Sequence, residues 1–458
     1  MCTLSASDYD AYETDETATD TIITTIDATV RVTDTKILCK KCGCEGTEVC
    51  LRGKNAYCKT CFLTMTMHKF RATLGKSKSV RPNDTIMIGY SGKVNSTVLV
   101  HLAGTIGIDS TTKRIPLQCK LLYIDDGMVR GRTIEERELI RNALVEEAKN
   151  VGITLYVISL TKYVTRNFSE DIEPVTAQDG SAIQEEVVDV QQLEEMFDSL
   201  ESDTAKDELL RQMRRKLLVL AARKLSCNKI FVADTCVDLA IKVLGDVSTG
   251  RGSQLSLNVG FSDTRYFDVV LLRPLKDFTA DDVANYLDCH KLTPVLSSIE
   301  YNRYFPVSIR STAKNFVDRL NSEFHGTVST IYRTSEKLAT KTEELNNANP
   351  VDAKTVVNDV CVLCELPVEE DYPQEGQPSV VQARVFSKLV STAADTSVNV
   401  IPKSQTVVER SCEKQPNSMN PAENKRCGCD GGDRSNLRTQ SLPAEMIEKY
   451  LCYGCRLI

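Results

Sequence analysis

From Thr85 onward, short apolar runs alternate with longer stretches in which apolar and polar residues recur at helical spacing. TIMIGY (Thr85–Tyr90), LQCKLLYI (Leu117–Ile124), ITLYVISL (Ile153–Leu160), KIFVAD (Lys229–Asp234) and FDVVLL (Phe267–Leu272) each have the length and apolar density of a strand buried on both faces. Between them, STVLVHLAG (Ser96–Gly104) opens a helix. TIEERELIRNALVEEAKNVG reads as an amphipathic helix with Ile134, Ile140, Leu144 and Val151 near one face, and Leu209–Leu225 as a helix rich in Arg and Leu. Strands alternating with helices predict an α/β fold, a doubly wound parallel sheet with its ligand site at the carboxyl ends of the strands.

The flanks follow no such pattern. Residues 1–36 carry eight acidic residues and two basic ones with little apolar periodicity, and are expected to be a disordered acidic tail. The balance reverses over residues 37–81, where ten lysines and arginines face Glu45 and Glu48, an excess of eight positive charges in a chain of net charge -7. Within the α/β region of residues 82–300 lies an acidic insertion at about 160–208; from Asn167 to Glu208 it holds fourteen acidic residues and one lysine. A helical extension is expected over 301–360, then a C-terminal module over 361–458. The latter is interrupted at about 367–425 by a looped-out stretch rich in Ser, Thr, Val, Asn and Pro.

No run approaches the roughly 18 apolar residues of a membrane-spanning helix, and the acidic, polar start fits neither a secretory signal nor a transit peptide. A cytoplasmic chain with no membrane partner is expected. There, the 18 cysteines need a task other than disulfides. Four CxxC pairs stand out. Cys39/Cys42 and Cys58/Cys61, fifteen residues apart, have the spacing of a four-thiolate zinc ribbon, with Cys44 and Cys50 surplus. Cys361/Cys364 and Cys452/Cys455 are separated by 87 residues, so a second zinc site from these four rests on motif type alone; Cys427 or Cys429 could replace one ligand. The basic charge around the ribbon, including Lys69, Arg71, Lys76 and Lys78 with Tyr57, Phe62 and Phe70 interleaved, is the footprint expected of a nucleic-acid contact, a solvated basic face being the alternative. The four histidines show no clustering along the chain that would suggest acid–base catalysis, and no catalytic residue is assigned.

The loop Ser91-Gly92-Lys93-Val94-Asn95-Ser96 follows the first strand and opens a helix, where backbone N–H groups and the helix dipole favour an anion. It resembles the PP-loop, SGGxDS, of the adenine nucleotide α-hydrolase superfamily, whose members cut ATP between the α and β phosphates to adenylate a substrate. Ser91, Gly92 and Ser96 match that pattern. Lys93 replaces its second glycine and Asn95 its aspartate, which weakens the case for ATP at a nucleotide site made by Ser91, Gly92, Asn95 and Ser96. Taken with CKKC, AYCKTCF and HKFRATLGKS before the loop, CVLC after the α/β region and the terminal LCYGCRLI, the chain resembles the non-catalytic subunits of cytosolic wobble-uridine tRNA thiolases.

That resemblance implies a PP-loop-type sheet flanked by an N-terminal zinc ribbon and a C-terminal zinc module. It also implies a heterodimer with a paralogous catalytic thiolase subunit, and tRNA Lys, Glu and Gln as substrates at uridine 34. Sulfur would arrive as a thiocarboxylate on a ubiquitin-related modifier protein. Active relatives have a CxxC on the helix after the third strand and a further cysteine after the fifth. Here the corresponding helix, DELLRQMRRKLLVLAARKLSC, has no CxxC, and the further position falls near Ser297 and Ser298. Hydroxyls cannot replace thiolates as ligands to an iron–sulfur cluster or as sulfur carriers, which argues against such a cluster. Cys227, Cys236 and Cys289 read as small buried apolar residues. The expected role is non-catalytic: holding the catalytic subunit and helping to bind tRNA through the ribbon and through Arg211, Arg214 and Arg215. An active sulfurtransferase, or a zinc-ribbon nucleic-acid adaptor outside thiolation, are the alternatives.

Overall fold

The computed structural model describes residues 37–45, 48–51, 55–81, 84–108, 118–164, 175–176, 187–296, 305–324, 326–337, 360–366 and 450–456. A seven-stranded sheet forms the centre, in the order β6-β5-β4-β3-β7-β9-β8. Its strands are β3 (Thr85–Gly89), β4 (Gln118–Asp125), β5 (Leu155–Ser159), β6 (Val175–Thr176), β7 (Lys229–Phe231), β8 (Ser262–Asp263) and β9 (Val270–Leu272). The five inner strands are parallel, and they are the five runs read from the sequence; β6 and β8 add antiparallel edges. Ile86, Met87 and Ile88 of β3 are all fully buried, as a central strand covered on both faces requires.

Alternate strand residues face two helical layers. Ile86 and Ile88, Leu121 and Tyr123, and Leu155 and Val157 pack with α1 (Lys59–Ser77), α2 (Val94–Ile108), α3 (Ile134–Val151) and α8 (Ala280–His290). Met87, Leu122, Ile158, Ile230 and Leu271 pack with α4 (Val187–Asp198) and α5 (Asp203–Lys224) on the other face. α6 (Cys236–Ser248), α7 (Leu255–Val259), α9 (Ile309–Glu323) and α10 (Thr327–Ser335) form smaller satellite cores. Helix starts follow local chemistry: Thr133 with Glu136, Thr235 with Asp238, and Thr279 with Asp282 form reciprocal capping boxes on α3, α6 and α8. Among the described residues, no helix is long and apolar enough to cross a membrane.

One expectation needs correction. Ile134, placed on the buried face of α3, is 68% exposed, because it stands at the first helical position, ahead of the stripe formed by Leu144 and Ala148. Within the acidic insertion, α4 and the first turns of α5 form helix. The basic N-terminal region, β1 (Val49–Leu51), β2 (Asn55–Tyr57) and α1, shares the core of the sheet domain through Val49, Phe62, Phe70 and Leu74. The acidic tail, the 367–425 insertion, Ser297, Ser298, Cys427 and Cys429 lie outside the described residues.

Candidate metal centres and a cationic cavity

The N-terminal thiols meet where the β1–β2 ribbon joins α1. One ligand atom each from Cys39, Cys42, Cys44 and Cys58 lie within 4.8 Å of one another. Cys42 Sγ is 3.2 Å from Cys44 Sγ and 3.8 Å from Cys58 Sγ. Cys44, read as surplus, is therefore part of the cluster, because Gly43 at φ 70° reverses the chain between the two thiols. Cys61, on the first turn of α1, also interacts with Cys58, Cys42 and Cys39 and supplies a fifth thiol. Backbone N–H groups of Cys58 and Cys42 hold the Cys39 thiol down at about 6, favouring the thiolate that a metal requires.

The C-terminal centre gathers Cys361, Cys364, Cys452 and Cys455, again within 4.8 Å, and every one is buried. A backbone bond from Val362 N–H to Tyr450 joins the two segments, and one from Cys361 N–H to Leu366 closes the first on itself. Arg251 directs Nη2 at Cys455 Sγ, 3.5 Å away, and Arg265 donates to the Cys364 carbonyl at 2.9 Å. Gly454 admits that arginine: a Cβ there would lie 2.5 Å from Arg251 Cγ. Both thiol sets fit a tetrahedral thiolate-bound metal such as zinc; thiolates are also the ligands of iron–sulfur clusters.

A cavity of about 380 Å³ opens at the carboxyl ends of β3, β4, β7 and β9, beside the loop Ser91–Ser96. β3 and β7 are adjacent there and the order of the strands reverses, the place where open α/β sheets bind ligands. Gly92 has φ 70°, the left-handed region in which glycine alone is free of Cβ strain, and a Cβ there would also push on the end of the Leu144 side chain at 2.8 Å. Ser91 and Ser96 hydroxyls are 3.0 Å apart, and Asn95 donates to Asp238 at 2.8 Å. Among the described residues, no cysteine lines the cavity.

Three of the four arginines of α5 face inward, and Arg223 pairs with Asp268 at the surface. Arg211 pairs with Glu208 at 2.6 Å and Asp246 at 3.3 Å, Arg215 with Asp263 at 2.6 Å, and Arg214 with Asp126. Arg130 and Arg137 bind Asp126 and Asp125 at the end of β4. Burial opposes the charge on Glu208, but Arg211 and Arg251 prevail and hold its carboxyl down at about 2. Burial pushes Lys242 down to about 8 against the pull of Asp234. Arg130, Arg132, Arg251, Arg273 and Arg310 were not singled out by the sequence; the Arg273-Pro274 step after β9 was the one local signal.

The remaining basic candidates divide. Lys69 is tied to Asp282 of α8 at 2.7 Å and lies over the Phe278 ring, whereas Lys76 and Lys78 at the end of α1 are exposed and Arg71 is half-buried. The histidines do cluster in space. His101 of α2 lies 2.8 Å from the Tyr286 hydroxyl, and its ring centroid is 4.5 Å from that of His290. Burial and the neighbouring His290 push His101 down to about 4.

A family model described as cytoplasmic tRNA 2-thiolation protein 2 matches residues 308–457. A protein of that name from Anopheles gambiae is 30% identical over 430 residues, covering 92% of this chain and 91% of its own length. The Homo sapiens protein of the same name is 26% identical over 463 residues, covering 92% and 86%. Among solved structures, the U34-tRNA thiolase NcsA from Methanococcus maripaludis with its [4Fe-4S] cluster matches at 21% identity and a TM-score of 0.47, over 71% of this chain and 95% of its own.

Proposed function

The chain belongs to the cytoplasmic tRNA 2-thiolation protein 2 family, and from that premise we propose that it is the non-catalytic subunit of a cytoplasmic heterodimer that thiolates C2 of wobble uridine 34 in tRNA Lys, Glu and Gln. The catalytic partner uses ATP to convert the uridine C2 oxygen into an adenylate, and sulfur from a thiocarboxylated ubiquitin-related modifier displaces AMP. The observation that carries this division of labour is the cavity: it occupies the catalytic position of the fold, yet no thiol lines it among the described residues. A sulfur relay or a cluster at the strand ends would need thiols there, and the described lining offers hydroxyl, amide and charged groups instead. The substituted loop agrees with it, since Asn95 is engaged by Asp238 and Lys93 occupies the second glycine position.

The chain's own work is then to fold against the catalytic subunit and to help hold tRNA. Lys76 and Lys78, exposed at one end of α1, are the foremost phosphate contacts, with Arg71 beside them. Lys69, Arg211 and Arg215 are committed to carboxylates and act through the shape of the surface. The two thiol centres hold zinc as structural metals.

Co-purification with the catalytic subunit followed by a thiolation assay tests the reading. The pair is expected to form 2-thiouridine, the catalytic subunit alone to form little, and this chain alone to release no AMP from ATP. Full thiolation without this chain, or AMP release by it alone, overturns the assignment.

A further inference from the structure

The N-terminal centre holds one thiol more than a tetrahedral metal can use. An ion held by the two CxxC turns takes Cys39, Cys42, Cys58 and Cys61, which leaves Cys44 over. That thiol lies 3.2 Å from Cys42 Sγ, nearer than Cys58 at 3.8 Å. Cys42 and Cys44 are exposed, Cys58 and Cys61 half-buried and Cys39 buried, so an oxidant arriving from solvent meets this pair first. The backbone fixes the turn between them. Gly43 N–H donates to the Cys39 carbonyl at 2.8 Å, Cys39 N–H donates to the Cys44 carbonyl at 2.9 Å, and Gly43 holds φ 70°. Cys50, the other exposed thiol of the ribbon, stands on β1 opposite Ala56 and is not among the clustered thiols.

The C-terminal centre has none of these features. It offers four thiols for four positions, all of them buried, and Arg251 covers Cys455. Exposure and thiolate character decide which cysteines oxidise, so the chain carries one guarded centre and one open one.

We propose that Cys42 and Cys44 form a modification site, oxidised to a disulfide by a hydroperoxide with release of the N-terminal metal. The Cys44 sulfur attacks one oxygen of hydrogen peroxide, the O–O bond breaks, and the Cys44 proton leaves with the departing hydroxide as water. Cys42 then gives up the metal, and its thiolate attacks the sulfenic sulfur of Cys44. The S–O bond breaks and hydroxide leaves as a second water, with a proton from solvent. The two sulfurs have lost two electrons and the peroxide has gained them. Cys39, Cys58 and Cys61 remain, one thiol fewer than a closed structural site needs. A disulfide in so exposed a place is of the easily reduced, regulatory kind. The proposal goes beyond the thiolation reading, in which this centre is structural only, and the isolated full-length chain tests it without any thiolation assay.

The zinc-loaded chain, titrated with hydrogen peroxide beside a chromogenic chelator, should release about one of its two ions. Tryptic peptide 42–52 should then be two hydrogens lighter, with Cys50 still open to alkylation. Cys44→Ser keeps four thiols, so it should load metal at this centre and release it about tenfold more slowly, whereas Cys50→Ser should release it at the natural rate. The peptide mapping uses the unsubstituted chain and decides the pairing whatever the stability of the variants. A disulfide that includes Cys50, release of both ions together, loss of the N-terminal metal from unoxidised Cys44→Ser, or release from that variant at the natural rate overturns the proposal.

Discussion

The two thiol centres stand at opposite ends of the sequence and differ in how the rest of the chain supports them. At the N-terminus Cys42 and Cys44 are exposed, five thiols crowd one point, and the ligands come from a single short ribbon and the first turn of α1. At the C-terminus four thiols, each no more than 3% exposed, join segments 88 residues apart. That centre is wired into the sheet domain. Arg251 links Cys455 to Glu208, and Glu208 links to Arg211 on the cavity wall. Arg265 links the Cys364 carbonyl to Asp263, which holds Arg215. A buried ion pair is worth keeping only when every member is satisfied, so removing one end of such a chain strands the others. The first centre organises its own module; the second also organises the wall of the cavity.

The largest expected effect follows from that asymmetry. Cys452→Ser should release one metal ion per chain and lower the stability of the whole α/β domain by several kcal/mol, because Arg251 and Glu208 lose their alignment along with the metal. Metal analysis and the main thermal transition measure it; an unmoved transition would make the two centres equivalent. Cys58→Ser should weaken metal binding less completely, because four of the five clustered thiols remain. The damage should centre on β1, β2 and α1, visible as lost amide protection there, and reach the main transition through the packing of Phe62, Phe70 and Leu74 on the sheet. Zinc content should fall from about two to one in Cys452→Ser and by a smaller fraction in Cys58→Ser, and iron in place of zinc would change the identity of the centre.

The same contrast explains what could be read from the sequence. All five parallel strands were legible because each carries a short apolar run buried at its centre, and the CxxC pairs were legible because two thiols on one turn are a local arrangement. Cys44 escaped because Cys42-Gly43-Cys44 is not the usual spacing and a positive φ at Gly43 brings the third thiol in. The direction of the α5 arginines was hidden for a different reason. Their partners Asp246 and Asp263 lie 35 and 48 residues further along, so a helix that reads as basic surface is an inward wall. His101 and His290 are likewise brought together only by the packing of α2 against α8.

That last contact gives a milder way to separate the two centres. α1 packs on α8 through Lys69 and Asp282, and α8 meets α2 at His101, Tyr286 and His290. Burial lowers the pKa of both histidines; His290 adds to the effect on His101, and Lys59 of α1 to that on His290. With a folded pKa of about 4 for His101 against an ordinary value of 6.5, the unfolded chain takes up the proton first as pH falls. Stability is therefore full above about pH 6.5 and is lost between there and pH 4. Because the ring is only partly shielded from water, the loss on going from pH 7 to 5 should be about 1 kcal/mol. It should appear at the α1–α2–α8 seam as faster amide exchange, with segments 360–366 and 450–456 unchanged. His101→Gln, which keeps a hydrogen-bonding group for Tyr286 and removes the titration, should flatten the His101 part of that slope. A slope that survives the substitution in full would assign the acid sensitivity to other groups and remove the distinction between the two ends.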